Sequence, residues 1–367
     1  MFYHLIPSLS EYHIVFNVFR YVTFRAVAAF ITALLFSFVL GPRIIRMLQG
    51  LQAVEHIDSD TPAHHKSKQG TPTMGGLIIL AGLLFSSLLW NNMANNFVLC
   101  MYLTVLWLGG LGFLDDYLKN IRRFKKGLVA RYKLFGQLTV SLIIVLILYM
   151  GSPDKAAISS ICVPFFKNFY IHLGLLFIPF VLIYITGFSN AVNLTDGLDG
   201  LAGGTVAICG IAMGIMAYIK GHAGIAGYLQ IEYIAGAEEL VIFTSAMIGT
   251  VLGFLWFNTK PAEIFMGDTG SLTLGGILAV EAILLREQIF LLIVGGIFVV
   301  EALSSLMQRY YFKYTRRKYG TGRRIFRCAP LHHHFELKGM AESKIVVRFW
   351  IVATLLAAVG LATIKLR

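Results

Sequence analysis

Apolar residues in this chain run in blocks too long for the interior segments of a soluble domain, and polar residues gather between the blocks. Ten blocks can be read, at 22–40, 74–90, 97–114, 134–150, 172–189, 201–219, 240–257, 271–285, 289–307 and 345–364. Each is close to the roughly 20 residues a helix needs to cross about 30 Å of hydrocarbon. A backbone inside a bilayer must satisfy its own N–H and C=O groups, which a helix does within one segment. The pattern therefore predicts an all-α polytopic membrane protein of about ten transmembrane helices, with 1–367 as a single integral membrane domain. The longest polar stretches, 41–73 and 308–344, are too short to bury a core of their own.

Composition agrees with that reading. Hydrophobic residues make up 57% of the chain and charged residues 14%, and the mean hydropathy is +0.73. The 31 Lys and Arg are unevenly placed: 22 fall in the alternate stretches 41–72, 115–133, 258–270 and 308–344. By the positive-inside rule these face the cytoplasm, and both termini are periplasmic. The first basic residue is Arg20, too late for the basic start of a cleaved signal peptide, so the first helix is expected to stay. Cys100, Cys162, Cys209 and Cys328 show no paired spacing, which points away from a disulfide framework or a zinc site. The formal charge of +12 flanks membrane spans and comes with no nucleic-acid motif, so an anionic lipid or anionic substrate fits it better than a nucleic acid.

Chemistry is expected in the basic-side loops, about 41–73, 115–133, 190–203, 258–270 and 308–344. Asp115 and Asp116 end the third block, Asp196 and Asp199 follow the fifth, and Asp268 precedes the eighth. Three distant segments thus bring carboxylates to one membrane depth, an arrangement suited to a hard cation. Mg²⁺ takes one or two carboxylates together with water and substrate phosphates, so a phosphate-bearing substrate is implied. Adjacent helical residues point about 100° apart, so Asp115 and Asp116 are expected to divide their tasks. A pair of acids capping a membrane helix is the plainer alternative.

Asn190, Asn193, Asp196 and Asp199 recur at steps of three before Gly203 and Gly204, which would set them on one face of a helical turn. Gly267-Asp268-Thr269-Gly270-Ser271 opens the eighth block, where free amides could meet an anion while Asp268 holds metal or caps the helix. His332, His333 and His334 are consecutive, and three consecutive residues rarely turn all their imidazoles to one ion; phosphate or base contact by one or two of them, or a solvated cluster, suits them better. Lys68, Lys119, Lys125 and Lys133 could balance pyrophosphate charge or simply mark the basic side. Glu281 and Glu301 lie within apolar spans and are left outside the catalytic set.

In order along the chain stand Lys68-Gln-Gly-Thr71-Pro-Thr73-Met-Gly75-Gly76, Asp115-Asp116, Asn190 to Gly204, Gly267 to Ser271 and Pro330-Leu-His332-His-His-Phe-Glu336. This ordered set resembles the MraY family of phospho-N-acetylmuramoyl-pentapeptide transferases, within the polyprenyl-phosphate N-acetylhexosamine-1-phosphate transferases, over essentially the whole chain. The resemblance implies transfer of phospho-MurNAc-pentapeptide from UDP-MurNAc-pentapeptide to undecaprenyl phosphate in the bacterial inner membrane, giving lipid I and UMP. It further implies Mg²⁺ and a homodimer. By position, Asp115, Asp116 and Asp268 match the family's essential acids, with Asp268 foremost as metal ligand. Lys68, Thr73, Lys119, Lys125, Lys133, Asn190, Asn193, Asp196, Asp199, His332, His333 and His334 form the expected substrate-binding set.

Two routes remain open at this level: direct attack by the acceptor phosphate, or a covalent aspartyl-phosphate. A sister enzyme moving GlcNAc-1-phosphate would share the carboxylates, and an ion-coupled transporter would also explain the helices and the two intramembrane glutamates. Transporters set their polar sites near the bilayer midplane, whereas these acids cluster at helix ends. Gly295-Gly296 in the ninth block offers a bend at which a groove for a lipid tail could open.

Overall fold

The computed structural model describes residues 1–6, 13–53, 70–124, 127–151, 154–166 and 169–366. All ten apolar blocks are helical. The main helices are α1 (Val22–Gly50), α2 (Gly76–Trp90), α3 (Asn96–Asp116), α4 (Ala130–Gly151), α5 (Phe177–Thr195) and α6 (Leu201–Gly221). They are followed by α7 (Glu238–Asn258), α8 (Gly267–Leu284), α9 (Gln288–Val294), α10 (Gly296–Tyr319), α11 (Leu331–Glu336) and α12 (Glu342–Ala362).

Seven helices are long and apolar enough to cross a bilayer, or eight when α9 and α10 count as one bent span. The other two of the ten blocks, α2 and α8, fall outside that set. α2 has 15 residues, and α8 carries Asp268 and Glu281 among its 18. The sequence pattern could not separate α8 from a lipid-facing span because burial in protein and burial in lipid select the same residues. Every residue from Thr269 to Leu284 is buried, packed mainly between α3 and α5. α8 is the central post of the bundle.

Small residues let its neighbours come close. A Cβ added at Gly112 on α3 would sit 2.3 Å from the Asp268 carbonyl oxygen. One added at Gly76, the first residue of α2, would sit 2.1 Å from the Gly270 nitrogen. The Gly75 and Gly76 amides donate to the Phe265 and Met266 carbonyls at 2.8 Å, fixing the start of α2 against the segment that leads into α8. The starts of α2 and α8 and the end of α3 therefore meet at one end of the bundle.

The opposite end is tied by buried ion pairs that no motif announced. Arg25 meets Glu239 at 2.7 Å, and Lys220 meets Glu287 at 2.8 Å. The all-α expectation departs only at a short antiparallel pair, Ser160–Cys162 with Tyr170–His172, the one sheet among the described residues. The ninth block bends as its glycines predicted, by 83° between α9 and α10. At the break, a Cβ on Gly295 would lie 2.6 Å from the Phe188 ring, so the bend needs glycine for space.

Candidate active site

Asp115 and Asp116 are 2% and 3% exposed at the end of α3, yet they face different partners. Asp116 turns to the start of α8. The Asp268 amide donates to its Oδ1 at 3.1 Å, and the Thr269 amide and hydroxyl donate to its Oδ2 at 2.8 and 2.6 Å. These are the unsatisfied first-turn donors that every helix presents, so Asp116 joins α3 to α8 through the α8 N-terminus. Gly267, with φ +73°, admits this approach; a Cβ there would lie 2.7 Å from the Asp116 carboxylate.

Asp115 turns away from that joint toward two lysines. Lys119 lies on the π-helical turn Tyr117–Ile121 that continues α3, and its Nζ meets Asp115 Oδ2 at 2.7 Å and Asp268 Oδ2 at 3.4 Å. Lys133, on the first turns of α4, meets Asp115 Oδ2 at 3.5 Å and forms a tight ion pair with Asp268. The Leu128 amide donates to Asp115 Oδ1 at 2.7 Å. Asn193 donates to Asp268 Oδ1 at 2.7 Å and to Ser271 Oγ at 2.8 Å. Two carboxylates from separate helices thus share two ammonium groups, with Asn193 orienting one of them.

Among the described residues, no three His, Cys, Asp or Glu side chains are grouped as an all-protein metal cage. Asp115 and Asp268 still supply hard oxygen donors converging on a shared positive charge, which fits a Mg²⁺ ion that completes its shell with water and phosphate.

The Asn190 to Gly204 segment departs from the one-face expectation. α5 ends at Thr195, so Asn190 and Asn193 are helical while Asp196 and Asp199 lie in the following turn. Asn190 donates to Gln137 Oε1 at 3.0 Å. Asp199 is buried elsewhere, accepting from the Ala262 amide at 3.4 Å. It lines a cavity of about 440 Å³ with Thr71, Lys260, Phe265, Glu336 and Glu342. The register ends at Asp196, the residue after α5, and Gly200, at φ +80°, turns the chain into α6. Thr73 is buried, its amide donating to the Ala53 carbonyl at 2.9 Å. Lys68 and Lys125 lie outside the described residues.

The three histidines divide. His332 is fully buried, its ring Nδ1 3.1 Å from Glu301 Oε2 and its amide 3.1 Å from Glu301 Oε1. Its ring lies against Gly197, where a Cβ would come 2.3 Å from Nε2. Burial outweighs the pull of Glu301 and holds the His332 pKa below its ordinary value. His333 meets Glu336 at 2.9 Å, and His334 Nδ1 accepts from the Arg327 amide at 3.1 Å, bracing the preceding turn. Glu301, set aside on sequence alone, is thus the partner of His332; a lone acid in an apolar span beside a distant histidine motif was the signal. Gln137 was missed, and a single amide within the 134–150 block was its only mark. Thr269, expected within a helix start that could meet an anion, gives its hydroxyl to Asp116 instead.

A bundle of apolar helices with an acid and lysine cluster at one end is a membrane protein equipped to hold an anionic, phosphate-bearing group. In keeping with this, residues 98–286 match the model of glycosyl transferase family 4. Residues 68–80 match phospho-N-acetylmuramoyl-pentapeptide-transferase signature 1. Over the full length of both chains, the sequence is 49% identical to the phospho-N-acetylmuramoyl-pentapeptide-transferase of Thermodesulfovibrio yellowstonii and 50% identical to that of Citrifermentans bemidjiense. It is 46% identical to that of Chloroherpeton thalassium, again over the whole of both. The chain belongs to the phospho-N-acetylmuramoyl-pentapeptide-transferase family, and it is a multi-pass membrane transferase.

Proposed function

We propose that this protein transfers phospho-MurNAc-pentapeptide from UDP-MurNAc-pentapeptide to undecaprenyl phosphate, forming lipid I and UMP for peptidoglycan synthesis, with its site open to the cytoplasm of a bacterial inner membrane. The observation that carries the reading is the meeting of Asp115 and Asp268 on Lys119 and Lys133. Phosphoryl transfer requires positioning and neutralisation of charge on the phosphoryl oxygens more than covalent chemistry. Lys119 and Lys133 supply cations for a pyrophosphate, and Asp115 and Asp268 would hold Mg²⁺. The ion neutralises phosphate oxygens when bound.

In the direct route an oxygen of the acceptor phosphate forms a bond to the sugar-linked phosphorus, and the bond to UMP breaks. Asp115 orients the acceptor and takes its proton where it carries one. Asp116 holds α3 and α8 in register, and Asn193 fixes Asp268. The sharing of Lys119 and Lys133 between the two acids supports this division. The same reading carries pairing of two copies in the membrane, which the mass of the protein in lipid nanodiscs tests.

The deciding experiment incubates purified protein with Mg²⁺, undecaprenyl phosphate and either UDP-MurNAc-pentapeptide or UDP-GlcNAc, following UMP and lipid product by mass spectrometry. Product from the muramyl donor alone is expected. It is lost on chelation, restored by Mg²⁺, and lowered roughly 10²-fold or more in Asp268→Asn. Product from UDP-GlcNAc alone would overturn the donor assignment. A phosphorylated enzyme trapped with donor in the absence of acceptor would overturn direct attack.

A further inference from the structure

Among the described residues, one face of α10 is left uncovered by the rest of the chain. Val300, Leu303, Met307, Tyr310 and Tyr314 recur at helical spacing and form a continuous stripe, each between 47% and 68% exposed. The stripe is ordered: aliphatic first, then aromatic, then basic at Arg317 and Lys318, over about 27 Å of helix. From residue 302 to 335 there is no acidic residue, and the eight Lys and Arg from Arg309 to Arg327 are all exposed.

The basic turn that follows α10 is built onto the helix. Gln308 Oε1 accepts from the Ile325 and Phe326 amides, each at 3.0 Å, and Thr315 Oγ1 accepts from the Arg323 amide at 2.8 Å. Lys318 and Arg323 lie over the Tyr319 ring at 5.3 and 4.8 Å. The charges are therefore displayed on a fixed platform beside the aromatic rings.

We propose that this face of α10, with the turn 320–327, is a docking surface for anionic phospholipid headgroups. Along the helix the stripe passes from apolar side chains to tyrosines to lysines and arginines, side chains suited in turn to acyl chains, the interface and lipid phosphates. Charge complementarity selects the lipid, since a zwitterionic headgroup presents no net negative charge to eight bases. The lipids would bear on the site through Glu301, which stands on the same helix and holds His332. The inference uses the membrane placement of the chain and not the transferase chemistry.

The test measures thermal unfolding of the full chain in uncharged detergent while dioleoyl-phosphatidylglycerol or dioleoyl-phosphatidylcholine is titrated. Phosphatidylglycerol is expected to raise the midpoint and phosphatidylcholine to leave it. In the variant Arg317→Gln, Lys318→Gln, Arg323→Gln, Arg324→Gln the apparent affinity for phosphatidylglycerol falls more than about tenfold. The conservative pair Arg317→Lys, Lys318→Arg keeps it, which guards against a folding defect in the first variant. Equal shifts from both lipids would overturn the proposal, as would undiminished selectivity in the glutamine variant. A shift reproduced by soluble glycerol phosphate would assign the bases to a soluble anion and overturn it. So would disulfide pairing of Tyr314→Cys between two copies, because the stripe would then be an interface.

Discussion

Asp115 and Asp116 are neighbours with opposite surroundings, so their substitutions should read differently. Asp116 accepts three hydrogen bonds from the first turn of α8, and Asp116→Asn removes a charge that those donors favour. It should cost about 1–3 kcal/mol of stability, seen as a lower unfolding midpoint in detergent, with activity falling alongside. Asp115→Asn leaves that joint intact and should abolish product while lowering the midpoint less, because Lys119 and Lys133 keep Asp268 as a partner. Equal midpoints for the two variants would contradict the division.

His332 gives a pH prediction at the same scale. Burial holds its folded pKa below the ordinary value of roughly 6.5, so the unfolded chain binds the proton more readily. Its contribution to stability is complete above that ordinary value and is lost as pH falls below it toward the folded pKa. The midpoint should therefore drop between pH 7.5 and 5.5, and His332→Asn should flatten part of the drop. Identical slopes in the two proteins would show that His332 does not titrate in this way.

At the scale of elements, the site depends on how closely α3 and α2 approach α8. Gly112→Ala would place a Cβ 2.3 Å from the Asp268 carbonyl, which the backbone can meet only by moving α3 off α8. A cost of about 1–3 kcal/mol follows for such overpacking, with Asp115 and Asp268 drawn apart. Gly110 is the control. A Cβ there meets nothing within 4 Å, so Gly110→Ala should leave both midpoint and product near wild type. Helix boundaries follow the same logic. α1 runs on to Gly50, past the predicted end at 40, because a helix does not have to stop where apolarity stops. α5 ends at Thr195, and with it ends the expected face of Asn190, Asn193, Asp196 and Asp199.

At the scale of the whole molecule, the acids, lysines and histidine motif lie at one end of the bundle, and Arg25–Glu239 and Lys220–Glu287 close the other. Under the cytoplasmic orientation, a cysteine introduced at Thr321, exposed in the basic turn, should react with an impermeant maleimide in inverted membrane vesicles and not in intact spheroplasts. Labelling with the reverse preference would turn the molecule over and move the site to the other face.

The sequence by itself determined that the chain belongs in a bilayer, since runs of about 20 apolar residues have no other low-cost environment. It also determined which apolar blocks become helices, the bend at Gly295 and the candidate acids, because those depend on local composition and spacing. Tertiary structure alone decided that α8 is enclosed by protein, that Asp116 caps it, and that Asp115 and Asp268 share two lysines. It alone joined Glu301 to His332 across 31 residues and sent Asp199 to a second cavity. The reason is physical: hydropathy and helical period fix what a residue prefers to leave or face, but a partner contributed by a distant helix depends on how the helices pack.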